Sequence, residues 1–145
     1  SLENALNQIF DWFGDMLILD TTVLIDLLKK KPAVIQKIKE LEAQGVSIST
    51  TVISVFEIIQ GLNKKTSKGQ EEKIFSIFSS MPVFSLDIQS SIEAGKISQS
   101  LLSAGAVIQS QDCMIAGIAK MQNETILARN QKHFSRIPKI EVETY

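Results

Sequence analysis

The chain has 145 residues with 15 Lys plus Arg against 16 Asp plus Glu, a net charge of −1. That excludes a strongly basic nucleic-acid coating protein but leaves room for an enzyme with a local basic rim. A hydrophobic share of 44% and a charged share of 21% suit one globular domain, large enough to fold without disulfides or a structural metal. One cysteine, Cys113, and one histidine, His133, exclude Cys/His zinc sites and leave any chemistry mainly to carboxylates.

Residues 1–15 are expected to be an N-terminal extension, engineered or native, carrying Phe10, Trp12 and Phe13 in a short amphipathic stretch. If native, it is a helix packing on the domain or on a partner. Met16 offers a natural start, so the domain is expected over 16–145. Leu17-Ile18-Leu19 reads as a short buried strand ending at Asp20, followed by a helix over 22–29. Pro32 opens a second helix with Val34, Ile35, Ile38 and Leu41 apolar, and Gly45 stops it. Val46-Ser47-Ile48 is a second strand, and Thr50 or Thr51 caps a third helix to about residue 62. After a lysine-rich loop over 63–70, Ser67 and Gln70 have capping-box spacing for a helix through Phe78. Residues 82–86 form a third strand, Asp87 caps a long helix to about Leu102, and Ser110 caps a helix over 111–121. Residues 125–128 are a fourth strand and 140–142 a short fifth.

Short apolar strands alternating with helical patterns predict parallel pairing. The fold expected is α/β, a three-layer sandwich with a mostly parallel five-stranded sheet flanked by helices. No signal-peptide pattern and no apolar run of membrane-spanning length occurs in the sequence, so a cytoplasmic protein without membrane attachment is expected. Ligands of such sheets bind beyond the carboxyl ends of the strands, which makes the residues after each strand the candidates for chemistry.

Asp20 follows the first strand directly, as a site acid or as the cap of the next helix. Glu57 stands in the apolar run V52-I-S-V-F-E-I-I-Q-G-L62. On a helical period Thr50, Ser54, Glu57 and Gly61 form a narrow polar or small stripe, either a site or a solvated face. Asp112 lies in the first turn of its helix, where an acid also complements the helix dipole. That helix continues C-M-I-A-G-I-A, small enough for close packing on the sheet. Asn130 follows the fourth strand, with Arg129 before it. Alone it is a turn residue, and a lone His133 is more often structural. Together, three carboxylates and an amide should meet at one edge. Clustered carboxylates repel unless a divalent cation lies between them, and oxygen ligands suit Mg²⁺ or Mn²⁺.

With these motifs the sequence resembles the PIN-domain family, and within it the VapC-type toxins of prokaryotic toxin–antitoxin systems, over residues 16–143. M-L-I-L-D-T-T-V-L-I-D-L-L resembles the first motif with Asp20. T-V-I-S-V-F-E-I-I-Q-G-L resembles the second with Glu57, I-Q-S-Q-D-C-M-I-A-G-I-A the third with Asp112, and I-L-A-R-N-Q-K-H-F the fourth with Asn130. Asn130 replaces a frequent Asp, and His133 stands where the family often has an acid. Thr22 fits the common Ser or Thr two residues after the first acid. The resemblance implies a Mg²⁺- or Mn²⁺-dependent endoribonuclease with Asp20, Glu57 and Asp112 as metal ligands and Asn130 orienting water. Thr22 and Arg129 would support the site. The resemblance also implies an RNA substrate, a cognate antitoxin and a homodimer, for which Phe75, Ile77 and Phe78 add an excess of apolar residues.

Two rival readings remain at this level. A haloacid-dehalogenase-type phosphatase, or another Mg²⁺-dependent phosphoryl hydrolase, needs a second acid where Thr22 stands, and Leu86-Asp87 only weakly imitates a receiver-domain phosphorylation site. A non-catalytic PIN-like module binding RNA or protein is consistent with Asn130.

Overall fold

The first strand, β1 (Met16–Leu19), is the centre of the sheet. Its side chains alternate faces as a strand requires: Leu17 and Leu19 enter one hydrophobic core, Ile18 the other. The computed structural model describes residues 1–5 and 16–145; residues 6–15, most of the expected N-terminal extension, lie outside the described residues. After β1 come α1 (Thr21–Leu28), α2 (Pro32–Ala43), β2 (Ser47–Thr51), α3 (Val52–Gln60), α4 (Lys68–Ser79) and β3 (Val83–Phe84). Then follow α5 (Ile88–Ser103), α6 (Ser110–Gln122), β4 (Thr125–Leu127) and β5 (Val142–Glu143). The strand order is β3-β2-β1-β4-β5, and all pairs are parallel.

The two cores lie on opposite faces of this sheet. One is closed by α5 and α6 through Ile97, Leu101, Ile115 and Ile118; the other by α1, α2 and α4 through Val23, Leu24, Val34, Ile38 and Ile74. Helix α3 serves both, with Ile53 in the first and Ile58 in the second. This is the three-layer α/β sandwich expected. Among the described residues no helix is long and apolar enough to cross a membrane.

Local signals account for most boundaries. Pro32 occupies the first turn of α2, and Gly45, at φ +76°, takes the left-handed position beyond its end. Ser67 and Gln70 make the reciprocal capping box of α4. Asp87 caps α5 through Ser90.

Four expectations need correction. Helix α1 starts at Thr21, one residue earlier, because Asp20 takes the cap position. Strand β2 runs on to Thr51, so Thr50 belongs to the sheet and not to a helical stripe; its hydroxyl donates to the Leu19 carbonyl at 2.9 Å. Strands β3 and β5 shrink to two residues each, since both are edge strands with a single neighbour. Ser110 does not cap α6. It is already helical, and the Gln109 carbonyl accepts from the amides of Asp112 and Cys113 without any side-chain cap.

Candidate active site

The chain leaves β1 for β2 on one side and later returns to place β4 on the other. The carboxyl ends of β1 and β4 therefore flank the point where the strand order reverses, the usual ligand crevice of an open α/β sheet. Asp20 follows β1 and Asn130 follows β4 at this point.

Asp20 is fixed from both directions. Its backbone amide donates to the Leu127 carbonyl of β4 at 3.0 Å. Its side chain closes the start of α1, where Oδ1 accepts from the Val23 amide at 3.0 Å and from Thr22 Oγ1 at 2.7 Å. Both bonds fall on Oδ1, which leaves Oδ2 for a ligand. The helix cap and the candidate site acid are thus the same side chain. Asp20 is only 6% exposed. Burial raises its pKa above 3.8 despite the bonds from Thr22 and Val23, and the Asp112 charge adds to the rise while His133 opposes it.

Glu57 sits in the second half of α3. Its Oε1 accepts from Thr21 Oγ1 at 2.9 Å, and the same hydroxyl lies 2.9 Å from Ser54 Oγ. Ser54 is therefore buried and Glu57 half-buried against α1, while Gly61 ends the helix exposed. Burial raises the Glu57 pKa, the bond from Thr21 opposes it, and the charges of Asp112 and Asp20 raise it further.

Asp112, in the first turn of α6, is partly buried and places Oδ2 3.1 Å from His133 Nδ1. Asn130 is exposed. Its Oδ1 accepts from the Lys132 amide at 3.1 Å and starts the single 3-10 turn Gln131–His133 that carries His133 to Asp112. Arg129 does not reach the acids; its Nη1 donates to Asp26 Oδ1 at 2.8 Å.

Asp20, Glu57 and Asp112 lie close enough for their charges to act on one another, with His133 at the same edge. They do not form a closed cage. Among the described residues no three His, Cys, Asp or Glu side chains are gathered tightly enough to hold an ion alone. Repelling carboxylates with a neighbouring amide fit a hard cation that retains several waters, as Mg²⁺ does, rather than one stripped of them.

Nothing in the sequence signals Thr21 as the Glu57 partner, or Asp26 as the Arg129 partner. For His133 the signal is its place three residues after Asn130, within one short turn.

The comparisons with known proteins point the same way. The PIN-domain family profile matches residues 17–140. Ribonuclease VapC1 of Methanocaldococcus jannaschii is 30% identical over 130 residues, 89% of this chain and 86% of that protein. The structure of VapBC2 from Rickettsia felis bound to a DNA fragment from their promoter aligns at a TM-score of 0.81 with 23% identity, over 90% of this chain and 98% of that one. DNA-bound VapBC from Salmonella typhimurium aligns at 0.75 with 28% identity, over 90% and 97% of the two chains. With four motif residues carried to one sheet edge, a profile match over nearly the whole domain and a VapC relative at this identity, the chain belongs to the PIN-domain family.

Proposed function

We propose that the chain is a metal-dependent endoribonuclease, the toxin of a toxin–antitoxin pair, hydrolysing RNA phosphodiester bonds at the edge where β1 and β4 end. The observation that carries this reading is the convergence of Asp20, Glu57 and Asp112 within range of one another's charge, with the pKa values of Asp20 and Glu57 raised by burial and by neighbouring acids. Such an arrangement is costly to a folded protein and useful to a hard cation. Mg²⁺ or Mn²⁺ bound there would lower the pKa of a water and offset charge developing on the phosphate.

The protein's own part is orientation. Thr22 and the Val23 amide hold Asp20 Oδ1, Thr21 holds Glu57 Oε1, and His133 fixes Asp112 at Oδ2. Asp20 through Oδ2, Glu57 and Asp112 are the ligands in this reading, directly or through water. Asn130 contributes an amide dipole for orienting water. The experiment is cleavage of single-stranded and looped RNA with Mg²⁺, alongside a chelator control. Cleavage that stops on chelation is expected. Cleavage persisting in chelator overturns the metal dependence, and RNA binding without cleavage favours the binding-module reading.

Asn130 supplies a separate prediction. Its Oδ1 already accepts from the Lys132 amide, a role that Asp fills as well. Asn130→Asp should keep the turn, add a charge and tighten Mn²⁺ binding roughly tenfold by calorimetry, with the larger gain at low salt. Equal affinities would remove Asn130 from the site.

The partners belong to the same reading: RNA in the cytoplasm as substrate, a cognate antitoxin, and a second copy of the chain. The similar structures are of VapBC assemblies. Val52, Phe56 and Ile59 line α3 at exposed positions, with Phe75 on α4. Ile77 and Phe78 are half-buried and pack against the core beneath α4, which leaves Phe75 the most exposed of those three. Sedimentation at micromolar concentration should show a species larger than the 16.1 kDa monomer. A purely monomeric boundary would remove the dimer.

A further inference from the structure

Asp26 is only 3% exposed, yet it is a carboxylate with no part in the acid cluster. Buried charge needs a cation and donors. Asp26 has both: Arg129 Nη1 at 2.8 Å on Oδ1, and the Tyr145 hydroxyl donating to Oδ2. The arginine side chain is nevertheless 51% exposed. One nitrogen is tied down while half of the side chain stays exposed, and a guanidinium carries five N–H donors. The cluster adjoins the site, since Arg129 directly precedes Asn130, and the carbonyl of Leu127, two residues before Arg129, accepts from the Asp20 amide at 3.0 Å. Arg129 is also bonded through its backbone, its carbonyl accepting from Thr144 Oγ1 at 3.2 Å.

The surroundings are basic. The Asp26 carbonyl accepts from the Lys31 amide at 3.0 Å, so the exposed turn Lys29-Lys30-Lys31 is anchored on the same residue. Exposed Lys132 stands two residues after Asn130, in the turn that Asn130 starts. An RNA strand approaching three carboxylates on a protein of net charge −1 needs local attraction beside them.

We propose that Asp26 is a positioning residue that holds the Arg129 guanidinium as an RNA phosphate contact on the flank of the acid site. The inference rests on the ribonuclease reading and adds how the substrate backbone is held. A tethered arginine loses less side-chain freedom on binding a phosphate than a free one. Lys29, Lys30 and Lys31 supply the diffuse part of the same attraction.

The experiment measures binding of a short fluorescein-labelled single-stranded RNA by anisotropy, in chelator, across a salt series. Arg129→Lys keeps a cation for Asp26 but replaces the planar five-donor fork with a compact point charge drawn onto the buried carboxylate and away from a phosphate. It should weaken binding and flatten the slope of log affinity against log salt by about 0.7, the value for one lost single-strand phosphate contact. Asp26→Asn removes a negative charge, so charge alone would tighten RNA binding. The tether predicts the reverse, a loss of about three- to tenfold. In cleavage assays both variants should raise KM with kcat within about twofold, as loss of uniform binding requires.

Tighter or unchanged binding in Asp26→Asn, or an unchanged salt slope in Arg129→Lys, overturns the inference. So does a fall in kcat at constant KM, which would make the pair a clamp that only places Asn130. If Asp26→Asn fails to fold by circular dichroism, Arg129→Lys decides alone. A wild type that neither binds nor cleaves RNA overturns the ribonuclease reading and this inference with it. A wild type that cleaves while both variants bind normally overturns only the inference.

Discussion

Asp20→Asn is expected to lower RNA cleavage at least about a hundredfold, the scale of removing a charged group from a preorganised site, while raising the melting temperature of the metal-free protein. The two effects separate because Oδ1 is held by the fold whereas Oδ2 is the proposed metal ligand. Oδ1 accepts the bonds from Thr22 and the Val23 amide, and an amide oxygen accepts both as well. Asn is also as good a helix cap as Asp. What the substitution removes is a buried charge beside Asp112. The pH dependence checks this. The Asp20 pKa is raised above 3.8, chiefly by burial, so between the unfolded and folded values the native state holds more protons than the unfolded one. The stability linked to this group is fully present below the unfolded pKa and is lost as pH rises through the folded pKa. The gap in melting temperature between variant and wild type, measured in chelator, should therefore be small near pH 4 and widen toward neutral pH in favour of the variant. A variant that melts below the wild type at neutral pH would make Asp20 a structural cap, and full cleavage activity would remove it from the site.

How much of this was legible in the sequence depends on the distance between partners. Asp20, Asp112 and Asn130 were readable because each stands next to a strand end or in a first helical turn, where position alone assigns an edge. Glu57 was readable from a polar residue among apolar neighbours. Its bond to Thr21 was not, because 36 residues separate the pair and no period connects them. Asp26 and Arg129 are 103 residues apart. In the sequence Asp26 looks like the polar side of a short helix, and only the pairing of β1 with β4 brings the arginine to it. The true length of β2 is hidden in the sequence because Ser49, Thr50 and Thr51 look like a loop. Ser49 and Thr50 are buried by donating their hydroxyls to the Leu17 and Leu19 carbonyls, a solution that residue type does not announce. The start of α6 was misplaced for a related reason: Ser is a preferred cap, but here the backbone of Gln109 already provides the first turn with its acceptor.

Helix α6 shows the same limit in packing. Its run C-M-I-A-G-I-A was expected to allow close approach to the sheet, and Ala116 and Ala119 are indeed fully buried there. Gly117 has a different neighbour. A Cβ at this position would stand 2.5 Å from the Ser90 carbonyl, 2.8 Å from the Ala94 amide and 2.9 Å from the Ala94 Cβ, all on α5. Two of these are backbone atoms, which cannot rotate away, so α5 and α6 would have to separate. In an exposed helix interior Gly→Ala gains up to about 1 kcal/mol, whereas overpacking costs about 1–3 kcal/mol and occasionally more. With contacts this short in backbone the second term prevails. Gly117→Ala is expected to lose about 2 kcal/mol net, a fall of roughly 4–8 °C in melting temperature for a domain of this size. Gly95, on the partner helix, is the internal control: it is exposed, and a Cβ there would meet nothing within 4 Å. Gly95→Ala should therefore raise stability by up to about 1 kcal/mol. Thermal melts of both variants beside the wild type test the pair. If Gly117→Ala melts with or above the wild type, the close approach of α5 and α6 at Ser90 and Ala94 is wrong.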